Sequence, residues 1–256
     1  MLSDLTAGAL SDAAARRELV SYAEVEAAAL AQTPALNALE FLAPADHIKV
    51  IAEVKRASPS RGDLAAIADP AALARTYASN GASTISVLTE GRKFKGTLED
   101  LRAVRAVVNV PVLRKDFIAE KYQILEARAA GADVVLLIVA ALEQPLLAEL
   151  NEFALSLGLT VLVETHSREE LHRALDINAS LIGVNARNLS TFELDRELFG
   201  SLVSEIPAGV IKVAESAVRN ATDVQHYRDA GADVVLVGEA LVTSDPAATL
   251  QSFLAV

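Results

Sequence analysis

The sequence predicts an α/β fold in which eight parallel strands alternate with helices and close into a (β/α)₈ TIM barrel, preceded by extra helices. One observation is a repeat that recurs about every 50 residues, at 80–88, 131–136, 177–184 and 231–236. Another is a set of four further short runs rich in Val, Ile and Leu, at 48–55, 110–115, 159–165 and 210–216. Short apolar strands separated by helical patterns are typical of a parallel sheet covered on both faces.

The signals at the ends of the predicted helices support this alternation. Each repeat opens with a residue that tolerates the left-handed conformation at a helix C-terminus, namely Gly81, Gly131, Asn178 or Gly231. Helix starts are indicated by the pairs Asp69 and Pro70, Thr97 and Asp100, and Ser167 and Glu170. A doubly wound open sheet is the alternative, but a repeat that runs through all eight units favours closure.

The domain organisation follows from the position of the first strand. Residues 1–46 are rich in Ala and acidic side chains and are predicted to form the extra helices, and residues 47–256 form the barrel. The sequence contains no low-complexity segment that would mark a linker, so we expect 1–256 to be a single domain.

Composition excludes several classes of function. The 256 residues carry a net charge of −11, which disfavours binding to nucleic acid or to an anionic membrane. Cysteine is absent and the four histidines do not cluster, so we predict no disulfide and no metal site. No glycine-rich dinucleotide or P-loop motif occurs, so the sequence gives no support for a dinucleotide or nucleoside-triphosphate site. Without an apolar run long enough to cross a bilayer or a signal peptide, we expect a soluble, cytoplasmic protein.

Polar residues gather at the predicted C-terminal strand ends, where barrels of this type hold their active sites. The fourth strand ends apolar, at Ile138, but the other seven end in polar residues or glycine. These are Glu53, Lys55 and Ser58; the loop 89–97; Lys115 and Asp116; Glu164; Asn185 and Arg187; Glu215 and Ser216; and Gly238. A single such charge could simply pair with a neighbour, but the convergence of six predicts a functional site.

Two of these residues are the strongest candidates for proton transfer, Lys115 and Glu164. We expect Lys115 to lie among other cations and to be partly desolvated, which would lower its pKa and suit it to general acid catalysis. A phosphate is expected near Ser58, Ala217 and Gly238, because backbone NH groups after the last two strands bind phosphate in many barrels.

The loop TEGRKFKGT at 89–97 allows two interpretations. It could be a mobile cationic lid whose Phe94 contacts a planar substrate, or a solvated loop whose Phe94 plugs the barrel rim. His166 follows Glu164 at a strand end and is interpreted as a loop histidine rather than a ligand.

Taken together, the motifs resemble those of the indole-3-glycerol-phosphate synthase family. In order they are IAEVKRASPSRG, SVLTEGRKFKGTLEDL, PVLRKDFI, YQILEARAAGADVVLLIVAAL, LVETHS, IGVNARNL, KVAESAV and VGEALV, and they run from about residue 48 to the end. The resemblance implies a lyase of tryptophan biosynthesis that closes the indole ring of 1-(2-carboxyphenylamino)-1-deoxyribulose 5-phosphate with loss of CO₂ and water, without cofactor or metal.

The resemblance also implies roles for individual residues. Lys115 would protonate the substrate carbonyl, and Glu164 would be a general base. Glu53 would assist proton transfer in the dehydration, and Lys55 would hold anionic groups and could donate a proton. Substrate hydroxyls or the catalytic groups would be held by Asn185 and Ser216, with support from Arg187 and Glu215. The phosphate would be bound by Ser58 and by the backbone of Ala217, Gly238 and Glu239. The anthranilate ring would contact Phe94, Phe117 and Leu136.

One departure from the family pattern lies at the predicted phosphate site. The family usually has glycine after Glu215 and Ser216, where this chain has Ala217. If the backbone there is left-handed, alanine costs roughly 1 kcal/mol or more. Ala217 keeps open the alternative of a non-catalytic phosphate-binding barrel. A separate alternative is another phosphosugar barrel such as a phosphoribosylanthranilate isomerase, although that reaction needs one acid–base pair and this chain has two lysines and two glutamates at its strand ends. We expect a small anionic substrate and a monomer or weak homo-oligomer.

Overall fold

Eight parallel strands form a closed barrel in the computed structural model, which describes residues 1–188, 191 and 193–256. The barrel strands are β1 Lys49–Val54, β4 Thr84–Leu88, β5 Val112–Lys115, β6 Val134–Ile138, β7 Thr160–Thr165, β8 Leu181–Asn185, β9 Ile211–Glu215 and β10 Val234–Val237. The short strands β2 Ala57–Ser58 and β3 Gly62–Asp63 form an antiparallel hairpin after β1. β1 pairs with both β4 and β10, which closes the barrel and confirms the predicted fold class.

Helices alternate with the strands and surround them. They are α1 Leu2–Leu19, α2 Tyr22–Leu30, α3 Ala38–Phe41, α4 Pro70–Ser79, α5 Leu98–Arg105, α6 Lys121–Ala129, α7 Gln144–Ser156, α8 Arg168–Asp176, α9 Leu198–Leu202, α10 Ala221–Asp229, α11 Glu239–Val242 and α12 Pro246–Leu254. The first three lie within residues 1–46, where the sequence predicts extra helices. No described helix is long and apolar enough to cross a membrane.

Local sequence signals explain where these helices begin and end. Asp69 caps α4 by accepting a hydrogen bond from the Ala72 NH, and Thr97 and Asp100 form a capping box at α5. The four residues predicted to be left-handed have positive φ, between 55° at Asn178 and 100° at Gly231. A side chain with a Cβ is tolerated at Asn178 because asparagine visits this region more readily than most residues.

Two apolar clusters hold the barrel together. Between the sheet and the surrounding helices lie fully buried side chains such as Tyr77, Leu101 and Phe253. Inside the barrel lie Ile51, Leu113, Leu136, Leu162 and others that point inward from alternate positions of the strands. Because the interior is filled with aliphatic side chains, the polar strand ends are left at the C-terminal mouth.

The N-terminal helices pack on one side of the barrel. α2 packs against α6, and α1 lies near the turn Val139–Ala141 that follows β6. Arg16 of α1 pairs with the carboxylate of Glu126 in α6, which in turn contacts the fully buried Arg114 of β5. The extension is thus tied to the strand that carries Lys115.

Candidate active site

Lys115, the last residue of β5, lies between a carboxylate of β7, two strands away around the barrel, and a carboxylate of β9 on the opposite side. Its Nζ is 2.9 Å from Glu164 Oε2 at the end of β7 and 3.3 Å from Glu215 Oε2 at the end of β9. The side chains of both glutamates are almost fully buried, and that of Lys115 is 14% exposed. The closed sheet therefore brings together an acid and two carboxylates separated by up to 100 residues of sequence.

The pKa of Lys115 is raised, which corrects the expectation that it would be lowered. Burial alone would lower it, but the negative charges of Glu164, Glu215 and Glu53 outweigh that effect. The prediction was wrong because it placed Lys115 among cations, whereas its nearest charged neighbours in space are carboxylates. Lys115 is therefore a protonated ammonium group at neutral pH.

The pKa values of the two carboxyl groups next to Lys115 are shifted in opposite directions. Burial opposes ionisation of Glu164, but Lys115 and His166 outweigh it and hold its pKa well below the usual value. Burial, together with the charge of Glu164, raises the pKa of Glu215 to about 8 although Lys115 acts in the other direction. The pKa values of the two carboxyl groups are thus shifted apart, which is the pattern expected of an acid and a base in one site.

Glu53 and Lys55 form a second charged pair at the end of β1. Lys55 Nζ lies 2.7 Å from Glu53 Oε1, and Ser86 Oγ donates to Glu53 Oε2 at 3.2 Å. A Cβ at Gly238 would lie 2.5 Å from Glu53 Oε1 and 3.0 Å from Lys55 Nζ. Gly238 therefore leaves room for this pair, a function separate from the phosphate contact predicted for it.

A second glycine, Gly183 in the middle of β8, makes room for Glu215. A Cβ there would lie 2.0 Å from Glu215 Oε1, which is closer than van der Waals contact allows. The sequence shows only a glycine within a strand, which commonly marks a close approach by another group. The residue that approaches could not be read from the sequence, because Glu215 is on a different strand.

Asn185 and Ser216 are joined at the ends of β8 and β9. The Ser216 hydroxyl donates to Asn185 Oδ1 at 2.8 Å, and the same oxygen accepts from the Arg187 NH at 3.0 Å. Ser216 and Ala217 both have left-handed backbones, with φ of 69° and 58°. The condition under which Ala217 carries a conformational cost is therefore met.

The predicted phosphate-binding residues lie at the same end of the barrel but are not all in mutual contact. Ser58 is in the hairpin β2–β3, and Glu239 is the first residue of α11. Arg61, in the turn of that hairpin, lies 2.6 Å from Glu239 Oε1 and links the two elements. Burial lowers the pKa of Arg187, while Glu239 acts to raise it. Glu239 thus lies within electrostatic reach of two arginines, of which Arg61 was missed by sequence reasoning.

An apolar cavity lies beside Lys115. It has a volume of about 60 Å³ and is lined by Leu88, Lys115, Asp116, Phe117, Leu136, Ile138, Glu164 and Asn185. Phe94 packs on Phe117 with a centroid distance of 6.0 Å. A larger cleft, of about 570 Å³, lies outside the barrel between α4 and residues 107–110. The smaller cavity has the chemistry of an active site because it joins apolar walls to the charged strand ends.

Glu90, which was not predicted as a site residue, organises the loop 89–97. Its carboxylate accepts hydrogen bonds from the backbone NH groups of Arg92, Lys93 and Phe94 at 2.7–2.9 Å. Arg92 pairs with Asp12 of α1, and Lys95 pairs with Asp63 of the hairpin. The loop is therefore anchored to α1 and to the hairpin, and the packing of Phe94 on Phe117 is compatible with both interpretations of the loop.

His166 was interpreted as an ordinary loop histidine, yet its side chain is only 10% exposed and lies next to Glu164. Its Nε2 is 3.3 Å from Glu164 Oε1, and its Nδ1 is 3.1 Å from Glu170 Oε2. The sequence contained one signal for this position, since His166 and Glu170 are four residues apart across a strand-to-helix junction. Among the described residues, no group of three or more His, Asp and Glu side chains is placed to hold a metal.

Comparison with protein families gives a match over nearly the whole chain. Residues 2–253 match the family model described as indole-3-glycerol phosphate synthase. Curated proteins of that name are similar to this chain: 68% identical in Leifsonia xyli subsp. xyli, covering 99% of this chain and 97% of the relative, and 59% identical in Mycolicibacterium gilvum, covering 96% and 90%. A third, in Beutenbergia cavernae, is 57% identical over 95% of this chain and 90% of the relative.

Comparison with solved structures supports the fold. Thiamine phosphate pyrophosphorylase from Pyrococcus furiosus superposes with a TM-score of 0.61 at 15% identity, covering 80% of this chain and 93% of that one. The N-acetylmannosamine-6-phosphate 2-epimerase from Clostridium perfringens gives 0.59 at 14% identity, covering 76% and 87%. At such low identity these likenesses concern the barrel alone.

Proposed function

The chain belongs to the indole-3-glycerol phosphate synthase family and has that carboxy-lyase activity of tryptophan biosynthesis, and we propose that Lys115 and Glu164 carry out its proton transfers. The reaction converts 1-(2-carboxyphenylamino)-1-deoxyribulose 5-phosphate into indole-3-glycerol phosphate, CO₂ and water. The observation that carries the proposal is the contact of Lys115 Nζ with Glu164 Oε2 at 2.9 Å beside the apolar cavity.

The chemistry requires a proton donor and a proton acceptor. The ring carbon that bears the carboxylate attacks the ketone carbon while the ketone oxygen takes up a proton. Loss of CO₂ then restores the aromatic ring. The new hydroxyl leaves as water after a second protonation, and the neighbouring CH₂ group loses one proton to form the indole. Lys115 supplies the first proton, and Glu164 accepts a proton in the later step.

The resting charges suit this order of events. Lys115 is protonated and Glu164 is ionised, because each stabilises the charge of the other. When Lys115 gives its proton to the ketone oxygen, the positive charge beside Glu164 disappears. Glu164 then becomes a stronger base at the stage when the CH₂ proton has to be removed.

The second charged pair serves the dehydration and holds the substrate. Glu53 and Lys55 lie 2.7 Å apart at the end of β1, and the charge of Glu53 acts on Lys115. We assign Glu53 to proton transfer in the loss of water, and Lys55 to the anionic groups of the substrate and to proton donation. Asn185 and Ser216, already joined by a 2.8 Å hydrogen bond, orient substrate hydroxyls, with Arg187 and Glu215 in support.

The two ends of the substrate are assigned to different parts of the mouth. The phosphate is assigned to Ser58 and to the backbone of Ala217, Gly238 and Glu239, with Arg187 nearby. The anthranilate ring is assigned to Phe94, Phe117 and Leu136, because this is where the wall of the mouth is apolar. We further expect the protein to act in the cytoplasm as a monomer or weak homo-oligomer, without binding nucleic acid.

The activity is tested by adding the carboxyphenylamino-deoxyribulose phosphate to purified protein and following indole fluorescence. Continuous product formation is expected. Phosphoribosylanthranilate, the substrate of the isomerase considered above, is the control and should not be turned over. Folded protein that binds the first substrate without releasing product would instead support a non-catalytic phosphate-binding barrel.

A further inference from the structure

His166 is a buried residue next to the proposed base for which the reaction described above has no role. It directly follows β7, and its ring lies between the carboxylates of Glu164 and Glu170. The distances are 3.3 Å from Nε2 to Glu164 Oε1 and 3.1 Å from Nδ1 to Glu170 Oε2. The backbone NH of His166 also donates to Glu170 Oε2 at 2.8 Å. The ring is therefore fixed from the side of α8 and directed at Glu164.

Glu170 departs from the usual behaviour of a residue at this helix position. Ser167 caps α8 by accepting a hydrogen bond from the Glu170 NH at 3.2 Å. In a complete capping box the Glu170 carboxylate would bond back to the Ser167 NH. Here it bonds to the backbone and ring of His166 instead. The carboxylate is thus used to orient the histidine.

The two oxygens of Glu164 have different partners. Oε2 faces Lys115 Nζ at 2.9 Å, and Oε1 faces His166 Nε2 at 3.3 Å. The charged groups around His166 are Glu164 of β7 and Glu170 of α8, and beyond Glu164 lie Lys115 of β5 and Glu215 of β9. His166 Nε2 is buried and, within the described structure, makes no hydrogen bond of good geometry. An adjustment of a few tenths of an ångström would complete its bond to Glu164.

We propose that His166 is a positioning residue for the reaction. Its imidazolium ring, oriented by Glu170, keeps Glu164 ionised and aligned while Lys115 gives up its proton. The proposal rests on the function assigned to Glu164 above. Without a second cation, proton transfer from Lys115 would leave a buried carboxylate next to a neutral amine. That arrangement favours protonation of Glu164, or return of the proton from the ketone oxygen to Lys115, and in the first case the base is lost.

The charge of the ring agrees with this role. Burial opposes a charge on His166, but its two carboxylate partners outweigh burial and raise its pKa to about 10. The imidazolium therefore persists through the pH range in which a biosynthetic enzyme works.

The test compares pH profiles of kcat/KM for the wild type and His166→Gln, which removes the charge but keeps a hydrogen-bond donor. Loss of the cation raises the pKa of Glu164, so the acidic limb of the profile moves to higher pH. The variant should lose more activity at about pH 5.5 than at about pH 8. His166→Lys, which keeps a cation, should restore the limb toward that of the wild type. A uniform loss at all pH values would indicate a merely structural role and would overturn the proposal.

A second measurement is independent of activity. Nitrogen-15 NMR of histidine-labelled wild-type protein reports the protonation of His166, assigned by comparison with His166→Gln. In the wild type the ring should still be protonated at about pH 8. In Glu170→Gln it should lose its proton at a lower pH than it does in the wild type. A neutral ring at about pH 7 would refute the inference even if the enzyme is active, whereas an inactive wild type with a protonated ring would count against the proposed function only.

Discussion

At the scale of single residues, Lys115 shows how burial and neighbouring charge compete in this site. Desolvation favours the neutral amine, but Glu53, Glu164 and Glu215 converge on it and favour the ammonium. A general acid has to be protonated before the reaction, and this environment ensures it. We expect this proton to become easier to release once the substrate carbonyl replaces one of the carboxylate contacts, because each carboxylate stabilises the ammonium.

Ala217 gives a prediction at the same scale. Its φ of 58° belongs to the left-handed region, where a residue with a Cβ is strained by about 1–2 kcal/mol. Ala217→Gly should raise the free energy of unfolding by about 1 kcal/mol, lower KM and leave kcat similar. Urea denaturation and steady-state kinetics measure these quantities. Ala248→Gly, in the helix α12, is the control and should lower stability. A higher KM in Ala217→Gly would contradict the assignment of this backbone to the phosphate.

At the scale of elements, an ion pair joins the hairpin β2–β3 to the start of α11. Arg61 and Glu239 are 2.6 Å apart and partly exposed, so their bond can exchange for another anion. Glu239→Gln should release Arg61 and remove a negative charge from the proposed phosphate position. We expect KM to fall about two- to fivefold, the range that corresponds to an exposed ion pair.

The matched control for that change is Glu149→Gln, which removes a glutamate paired with an exposed lysine on the outer helices. It should leave KM unchanged. A rise in KM for Glu239→Gln would mean that the Arg61–Glu239 pair holds the hairpin in a productive position rather than competing with the substrate.

The elements also show how much of the site could be predicted from the sequence. The convergence of Lys115, Glu164 and Glu215 was predictable, because closing a parallel barrel brings every strand's C-terminal end to one mouth. The space that Gly238 leaves for Glu53 and Lys55 was not predictable, because it depends on which side chains the neighbouring strands β1 and β10 bring together. The same holds for His166, whose role depends on Glu164 beneath it and on the use that Glu170 makes of its carboxylate.

At the scale of the whole molecule, the buried carboxyl groups link the stability of the fold to pH. The pKa of Glu215 is about 8 in the folded protein, against 4.5 for the unperturbed side chain. Between these values the folded state retains a proton that the unfolded state releases, so rising pH lowers the contribution of Glu215 to stability. Glu215→Gln, which has no such proton, should therefore gain stability relative to the wild type as pH rises from about 5 to about 8.

Denaturation in urea at those two pH values measures this difference. Glu152→Gln, at an exposed position on α7, is the control for the loss of one carboxylate. A stability difference between Glu215→Gln and the wild type that stays constant between the two pH values would show that the folded wild type holds no such proton at Glu215.

The net charge of −11 also acquires a meaning at this scale. The positive groups of the mouth lie among carboxylates, and much of the local charge is balanced within the site. We therefore expect the anionic substrate to be recognised by particular cations and NH groups at the strand ends rather than by a basic surface.

The most direct test of Lys115 as the proton donor is the kcat of Lys115→Ala, measured by indole fluorescence at saturating substrate. The wild type is the reference, and Lys121→Ala, which removes a partly exposed lysine from α6, is the control. We predict a loss of about 10²–10⁴-fold for Lys115→Ala, the usual contribution of a positioned acid, and wild-type turnover for Lys121→Ala. Turnover near that of the wild type in folded Lys115→Ala would contradict the assignment of Lys115 as the proton donor.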